Sequence, residues 1–196
     1  MTVIVAALTK DKGIVMAADR EVTCGSQKAH HEQPKLWVSG KYAFGACGNL
    51  RTAQVLKHHV TWPKYRPDED PDWEKFLVTS VVPAIREGVQ NRGVVYESNG
   101  VQTINANLLI ATGDRLAAIY TDGCVLTDVT GRDAVGSGCA QALGALGESG
   151  PWKEADVIRA ARRSSATAVG VGGPISVVDT KSLTVRTIDD EEAHRA

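Results

Sequence analysis

Thr2 is the residue of this chain best equipped for covalent chemistry. It follows Met1 and opens a short apolar run, Thr2-Val3-Ile4-Val5-Ala6-Ala7-Leu8. An initiator methionine is generally removed when a small residue follows it. Removal leaves a threonine that carries both a hydroxyl and a free α-amine. An α-amino group titrates at roughly 7.7–8.0, so part of it is neutral near physiological pH and accepts a proton. A threonine hydroxyl beside its own amine is one of the recognised activated nucleophiles. With Met1 in place the same nitrogen is an amide and takes no proton. Many chains begin Met-Thr merely to start a strand, so Thr2 has to be weighed against the residues downstream of it.

Four further segments hold residue types that can do chemistry: Asp19 after Ala17-Ala18, Lys35 in Pro34-Lys35-Leu36-Trp37, the run Phe44-Gly45-Ala46-Cys47-Gly48-Asn49, and Ala134-Val135-Gly136-Ser137-Gly138. Read locally, each has a plain structural meaning: a turn aspartate, a surface lysine, a glycine-rich strand-to-helix turn, and a serine that caps a helix starting near Gly138. His30-His31 near Cys24 fits no standard zinc spacing, and Lys57-His58-His59 reads as a solvated helix end. No metal site is expected. Asp133 lies beside the Ser137 turn as a local acceptor.

The rest of the chain has to hold these residues in place. A chain of 196 residues is expected to form a single domain (1–196) with a core large enough to need no disulfide or metal. Its net charge of −1 gives no bulk surface for nucleic acid or membrane. The four cysteines, Cys24, Cys47, Cys124 and Cys139, form no Cys-x-x-Cys pair and read as reduced thiols. The first apolar run is too short to span a bilayer and lacks a basic leader, which predicts a cytoplasmic protein.

Strands are predicted at Val3 to Leu8, Ile14 to Ala18 with Asp19 at the end, Leu36 to Val38 and Tyr42 to Cys47. The second is apolar on both faces and so buried on both. Asn49 caps a helix from Leu50 to about Val60. Asp70 is expected to cap a second helix with Pro71 at its first position, carrying the stripe Trp73, Phe76, Leu77, Val81 and Ile85 and kinked at Pro83. Ala106 to Ala111 and Leu116 to Thr121 form a hairpin through Thr112-Gly113-Asp114-Arg115, and Cys124 to Asp128 is a further candidate strand. Helices follow at Ala140 to about Gly147 and Trp152 to Arg163. Ile175 to Val178 and Leu183 to Thr187 close the chain as a hairpin, ahead of a charged tail from Asp189 to Ala196. This order predicts an α+β fold: a four-layer α-β-β-α sandwich of two antiparallel sheets flanked by helices.

Taken together, Thr2, Ala17-Ala18-Asp19, Lys35, Phe44 to Asn49 and Ala134 to Gly138 resemble the proteasome β-subunit and HslV peptidase family, the threonine proteases among the N-terminal nucleophile (Ntn) hydrolases. The resemblance runs to about Val178, and the HslV branch is the nearest in the stretch Leu108 to Gly138. It implies Thr2 as nucleophile and Lys35 as a partly buried ammonium near the Thr2 hydroxyl, where its field favours the ionised hydroxyl and lowers the amine's proton affinity. A buried ammonium needs a carboxylate, and the resemblance supplies Asp19. Gly48 matches the residue whose N–H holds the oxyanion, with Asn49 opening a helix behind it. Ser137 matches the serine beside the nucleophile's amine. Thr23, Gly48 and Leu50 match positions that bind substrate as an added strand. Val22, Gln33, Trp37, Ala46 and Leu50 fall near the first specificity pocket. One departure stands out. The family's Asp-x-x-Ser-Gly signature after the last helix is replaced by Ala168-Val169-Gly170-Val171-Gly172, with Ser164, Ser165 and Thr167 as the nearby hydroxyls.

The expectation is therefore a self-compartmentalising threonine peptidase that cuts unfolded polypeptides, needs no cofactor, assembles into homo-oligomeric stacked rings and works with an unfoldase ATPase. The small residues Ala140, Ala142, Gly144, Ala145 and Gly147 suit close helix packing, within a subunit or between rings. The alternatives are a catalytically inactive ring-assembly subunit, favoured by the missing signature and by a retained Met1, and an amidase of the wider superfamily.

Overall fold

The computed structural model describes residues 2–11, 13–24, 27–30, 32, 35–98, 100–127 and 129–188, with the side chains of Cys24, His30 and Ser98 left aside. Gln33, Pro34, His31 and the predicted tail lie outside the described residues.

The strands in chain order are β1 (Ile4–Leu8), β2 (Ile14–Asp19), β3 (Glu21–Cys24), β4 (Gln27–His30), β5 (Leu36–Ser39), β6 (Tyr42–Gly48), β7 (Tyr96–Ser98), β8 (Val101–Thr103), β9 (Ala106–Thr112), β10 (Arg115–Ile119), β11 (Val125–Leu126), β12 (Arg132–Val135), β13 (Ile175–Asp179) and β14 (Arg186–Ile188). The helices are α1 (Leu50–His59), α2 (Trp73–Phe76), α3 (Val82–Gln90), α4 (Cys139–Leu146) and α5 (Glu154–Thr167), with a π-helical stretch Leu77–Val81 between α2 and α3. One five-stranded antiparallel sheet runs β12-β1-β2-β13-β14 and another β11-β10-β9-β6-β5. The hairpins β3-β4 and β7-β8 stand apart as two-stranded sheets.

Apolar periodicity explains how these elements pack. Every residue of β2 is buried, because one face of its sheet meets helices and the other meets the second sheet. Val3, Val5, Ala7, Val15 and Ala17 join Ala142, Leu146, Val157, Ala160 and Ala161 of α4 and α5 in one cluster. The alternate residues Ile4, Ala6, Ile14, Met16 and Ala18 join Leu36, Ala43, Leu109, Ala111, Leu116 and Ala118 of the other sheet. A third cluster holds the aromatic side chains Trp37, Tyr42, Phe44, Trp73 and Phe76 with Val55, Leu56 and Ile85 of α1 and α3. Strand alternation thus sorts neighbouring residues into different cores.

Several boundaries differ from those expected, each for a local reason. Asp72, not Asp70, caps α2: its carboxylate accepts from the Lys75 N–H at 2.9 Å, while the Asp70 N–H closes a turn onto the Arg66 carbonyl. Pro83 has no N–H for the preceding turn, and the helix meets it with a π-helical stretch in which the Val82 N–H reaches back to Leu77 O. α5 starts at Glu154 rather than Trp152, with Asp156 accepting from the Lys153 N–H at 2.8 Å. The last strand begins at Arg186, β10 spans Arg115–Ile119, and β11 is only Val125–Leu126. Gly138 rather than Ser137 is the N-cap of α4, and no side chain caps it.

Candidate active site

Sheet register brings the start of the chain between two strand ends. Ile4 pairs with Ala18 on one side and with Val135 on the other. Continuing the ladder outward sets Val3 beside Asp19 and Thr2 beside the turn Gly136-Ser137. The Asp19 N–H donates to Val3 O at 3.3 Å, and the Gly138 N–H donates to Thr2 O at 3.2 Å. Gly136 has φ +100°, and a Cβ there would overlap the Thr2 carbonyl oxygen. Only glycine lets the turn pass this close.

Ser137 completes the seat of Thr2. Its Oγ accepts the Thr2 N–H at 3.2 Å and donates to Thr2 O at 3.4 Å. The hydroxyl faces Thr2 instead of capping the helix. Thr2 itself is only 7% exposed.

Asp19 is fully buried, and four donors converge on it. Oδ1 accepts the Val3 N–H at 2.9 Å and the Lys35 ammonium at 2.8 Å. Oδ2 accepts the N–H groups of Glu21 and Gly172, both at 3.2 Å. A carboxylate has about four acceptor sites, so this one is saturated. A single oxygen therefore ties the backbone after Thr2 to Lys35, which lies no more than two hydrogen-bond lengths from Val3 N.

Lys35 donates its second hydrogen bond to Glu21 O at 2.7 Å, and its side chain is 11% exposed. Burial lowers its pKa below the ordinary lysine value, and the Asp19 carboxylate opposes that shift. The lysine is held in place from behind as well, since the Ala46 N–H donates to Lys35 O at 3.2 Å.

Thr2, Lys35, Gly48 and Ser137 all line one cleft of about 700 Å³, together with Val22, Thr23, Trp37, Ala46 and Leu50. Asp19 lies beneath the cleft rather than in its wall. Gly48 has φ +110°, and a Cβ there would come within 2.8 Å of Asn105 O, so the strand-to-helix turn requires glycine. Asn49 then caps α1 by accepting the Thr52 N–H at 3.2 Å. Trp37 stacks on Phe44 with ring centroids 5.2 Å apart, which fixes it as a wall of the cleft. Gln33 lies outside the described residues.

Sequence reasoning misses several parts of this cleft. Cys47, Asn107, Tyr120 and Cys139 line it, as do Glu21, Lys57 and His58. Cys47 is a second potential nucleophile, but burial pushes its thiol up to about 11. It stays protonated at neutral pH and is a poor nucleophile. Gly172 is missed as well, because a backbone N–H donor leaves no trace in residue type. Of the three hydroxyls near the departure from the family signature, only Ser164 reaches the site: it donates to Gly138 O at 2.8 Å. Ser165 and Thr167 return to carbonyls of their own helix. Among the described residues no three His, Cys, Asp or Glu side chains gather as a metal site, and no helix is long and apolar enough to cross a membrane.

No family model matches the chain, and no curated protein matches it by sequence. Solved structures do match it. The chain is similar to BPH from Thiobacillus denitrificans, at 16% identity and TM-score 0.72 over 90% of this chain and 96% of that one. It is similar to a Gly-1 mutant of Anbu from Hyphomicrobium sp. strain MC1, at 18% identity and TM-score 0.66 over 97% and 88%. It is also similar to the eukaryotic HslV from Trypanosoma brucei, at 18% identity and TM-score 0.60 over 90% and 98%. These are proteasome-like Ntn-hydrolase folds, and the chain shares that fold.

Proposed function

We propose that this chain is a threonine-type endopeptidase of the proteasome-like group, nearest the HslV branch, with the layers arranged as an α-β-β-α sandwich. The observation that carries the reading is Asp19 Oδ1, which receives both the Val3 N–H and the Lys35 ammonium directly under Thr2. Elementary electrostatics gives such an ammonium two effects. It favours the ionised form of a neighbouring hydroxyl, and it lowers the proton affinity of a neighbouring amine.

In the proposed reaction Met1 is first removed. The Thr2 Oγ1 attacks the scissile carbonyl while its proton passes to the Thr2 amine, directly or through a water at Ser137. The carbonyl oxygen becomes an oxyanion facing the Gly48 turn at the start of α1, where backbone N–H donors and the helix end favour negative charge. Collapse of the tetrahedral species breaks the C–N bond, and the amine's proton leaves with the new N-terminus. Water then attacks the ester, releasing the acid and restoring the hydroxyl. Substrate lies along β3 at Val22 and Thr23 and across to Leu50, as an added strand. The chemistry is complete without a cofactor.

Assembly into stacked homo-oligomeric rings, an unfoldase ATPase partner, unfolded polypeptides as substrates and a cytoplasmic location belong to the same reading. A second reading, a ring-assembly subunit without activity, has its own support. Val171 stands where the family signature has serine and is buried in the apolar cluster beside α5, so no hydroxyl comes from that position.

Intact mass together with a peptide epoxyketone separates the two. The warhead closes on both the hydroxyl and the amine of an N-terminal threonine. A Met-free chain that gains one inhibitor mass, lost in Thr2→Ala, supports the peptidase. A Met-free, folded chain that gains none supports the inactive subunit.

A further inference from the structure

Among the described residues, Glu21 is the one acidic side chain in the wall of the cleft, and the proposed mechanism uses only its backbone. It is 6% exposed, an unusual depth for a carboxylate without full pairing. Its Oε1 accepts no hydrogen bond from any described residue. The Lys28 ammonium lies 3.4 Å from it, on a side chain that is 64% exposed. The backbone around Glu21 is fixed, since the N–H groups of Arg20 and Glu21 both donate to Gly172 O. Gly172 has to be small here, because a Cβ on it would come within 2.7 Å of Glu21 Oε2. The carboxylate is thus held at a set point and paired with a lysine whose side chain is largely in solvent.

The rest of the cleft's charge decides where a ligand cation would go. Lys57 and His58 line the α1 wall and bring no acidic group to that end. Lys35 is already paired with Asp19. Glu21 at the β3 wall is left as the group that attracts positive charge.

We infer that Glu21 recognises a cationic side chain of the substrate, a guanidinium or ammonium, which takes the place of Lys28. A guanidinium brings rigid, paired N–H donors, and these can make the hydrogen bond to Oε1 that Lys28 does not. Lys28 swings to solvent at little cost, since exposed ion pairs are weak. The inference rests on the peptidase reading for its substrate, although not for its binding.

The experiment uses blocked fluorogenic peptides that carry arginine or its neutral isostere citrulline at each position on the acyl side of the scissile bond. The expected result is a kcat/KM ratio favouring arginine by about tenfold at one position. In Glu21→Gln that ratio falls towards one, whatever happens to the absolute rate. In Lys28→Ala, an exposed change that leaves the fold intact, the ratio rises. Equal rates for arginine and citrulline at every position, or a preference that survives Glu21→Gln, overturns the inference. Binding of the same labelled peptides to Thr2→Ala reads recognition without turnover. If the Met-free protein cleaves nothing, yet Thr2→Ala binds the arginine peptide more tightly and Glu21→Gln abolishes the difference, the peptidase reading fails and this one stands. Equal binding of the two peptides sinks it.

Discussion

The Gly172 N–H donates to Asp19 Oδ2 at 3.2 Å, joining the loop after α5 to the acid beneath the cleft. That loop carries Ala168 and Val171 where the proteasome β-subunit signature has Asp and Ser. Its backbone donor completes the four hydrogen bonds around Asp19 and needs no particular residue type. Asp19 and Lys35 then form a buried pair, with Asp19 also held by three N–H groups and Lys35 also donating to Glu21 O. Removing either partner of such a pair costs more than the pair contributes.

Lys35→Met should therefore destabilise the protein by about 3–5 kcal/mol, because it strands the Asp19 charge in the interior. Urea unfolding of Lys35→Met, Asp19→Asn and the double variant measures this. The double variant should lose clearly less than the two single losses added together, since it leaves no lone charge. Additive losses would mean that the 2.8 Å contact is not an energetic pair.

The depressed pKa of Lys35 sets a pH signature. Between its folded value and the ordinary 10.5 the unfolded chain binds more protons than the folded one, so this group's contribution to stability rises with pH across that window. Below the window the full cost of a buried ammonium is present. On the proposed mechanism activity runs the other way, because that mechanism uses the cation. The alkaline limb of kcat/KM should fall below the pH of an ordinary lysine. Asp19→Asn removes the neighbouring carboxylate that supports the charge and should move the limb lower still. A limb at the ordinary lysine value in the wild type would count against Lys35 as the group that titrates.

Gly136 and Gly144 make a paired test of the seat under Thr2. Gly136→Ala puts a methyl into the Thr2 carbonyl at φ +100°, and backbone strain of this kind costs on the order of 1–3 kcal/mol before the clash is counted. Ring closure of an epoxyketone on Thr2 should slow by more than about tenfold, as a small misplacement of reacting groups does. Gly144, inside α4 with nothing near its missing Cβ, should instead gain roughly 0.5–1 kcal/mol when changed to alanine. Thermal melts and adduct kinetics read both.

The parts of this molecule that are legible in sequence are those whose residue type is dictated by the core. β2 is apolar from Ile14 to Ala18 because both its faces are covered, and the β9-β10 hairpin announces itself by Thr112-Gly113-Asp114-Arg115. The hairpin β3-β4 carries no such mark: Gln27, Lys28 and Ala29 are exposed, so neither face shows an apolar stripe. β12 reads only as a turn, since Arg132 and Asp133 look like loop and only Ala134 and Val135 reach the core. At the site, Thr2 and the glycine turn at Gly48 have local signatures. The pairing of Asp19 with Lys35 rests on resemblance, because nothing in either residue's own neighbourhood says that they meet. Gly172 and the Glu21 carboxylate depend on long-range backbone placement and leave no signal to read.

Ser164 tests whether the loop after α5 has found another way to support the site. Its hydroxyl is buried and donates at 2.8 Å to Gly138 O, and the Gly138 N–H holds Thr2 O. The chain Ser164–Gly138–Thr2 thus links α5 to Thr2 through Gly138. Ser164→Ala removes one of two donors to Gly138 O, which keeps the Ala142 N–H at 3.0 Å, at a cost of about 0.5–1.5 kcal/mol, and lets the Gly138 backbone tilt. Ser165→Ala serves as the control, since Ser165 donates to Ala161 O in its own helix and its loss should change stability by less than about 0.5 kcal/mol. The decisive reading is the rate of epoxyketone closure at equal folded fraction. Slower closure in Ser164→Ala with an unchanged Ser165→Ala shows that the serine positions Thr2. Equal rates in both would confine Ser164 to packing and leave the seating of Thr2 to the Gly136-Ser137 turn.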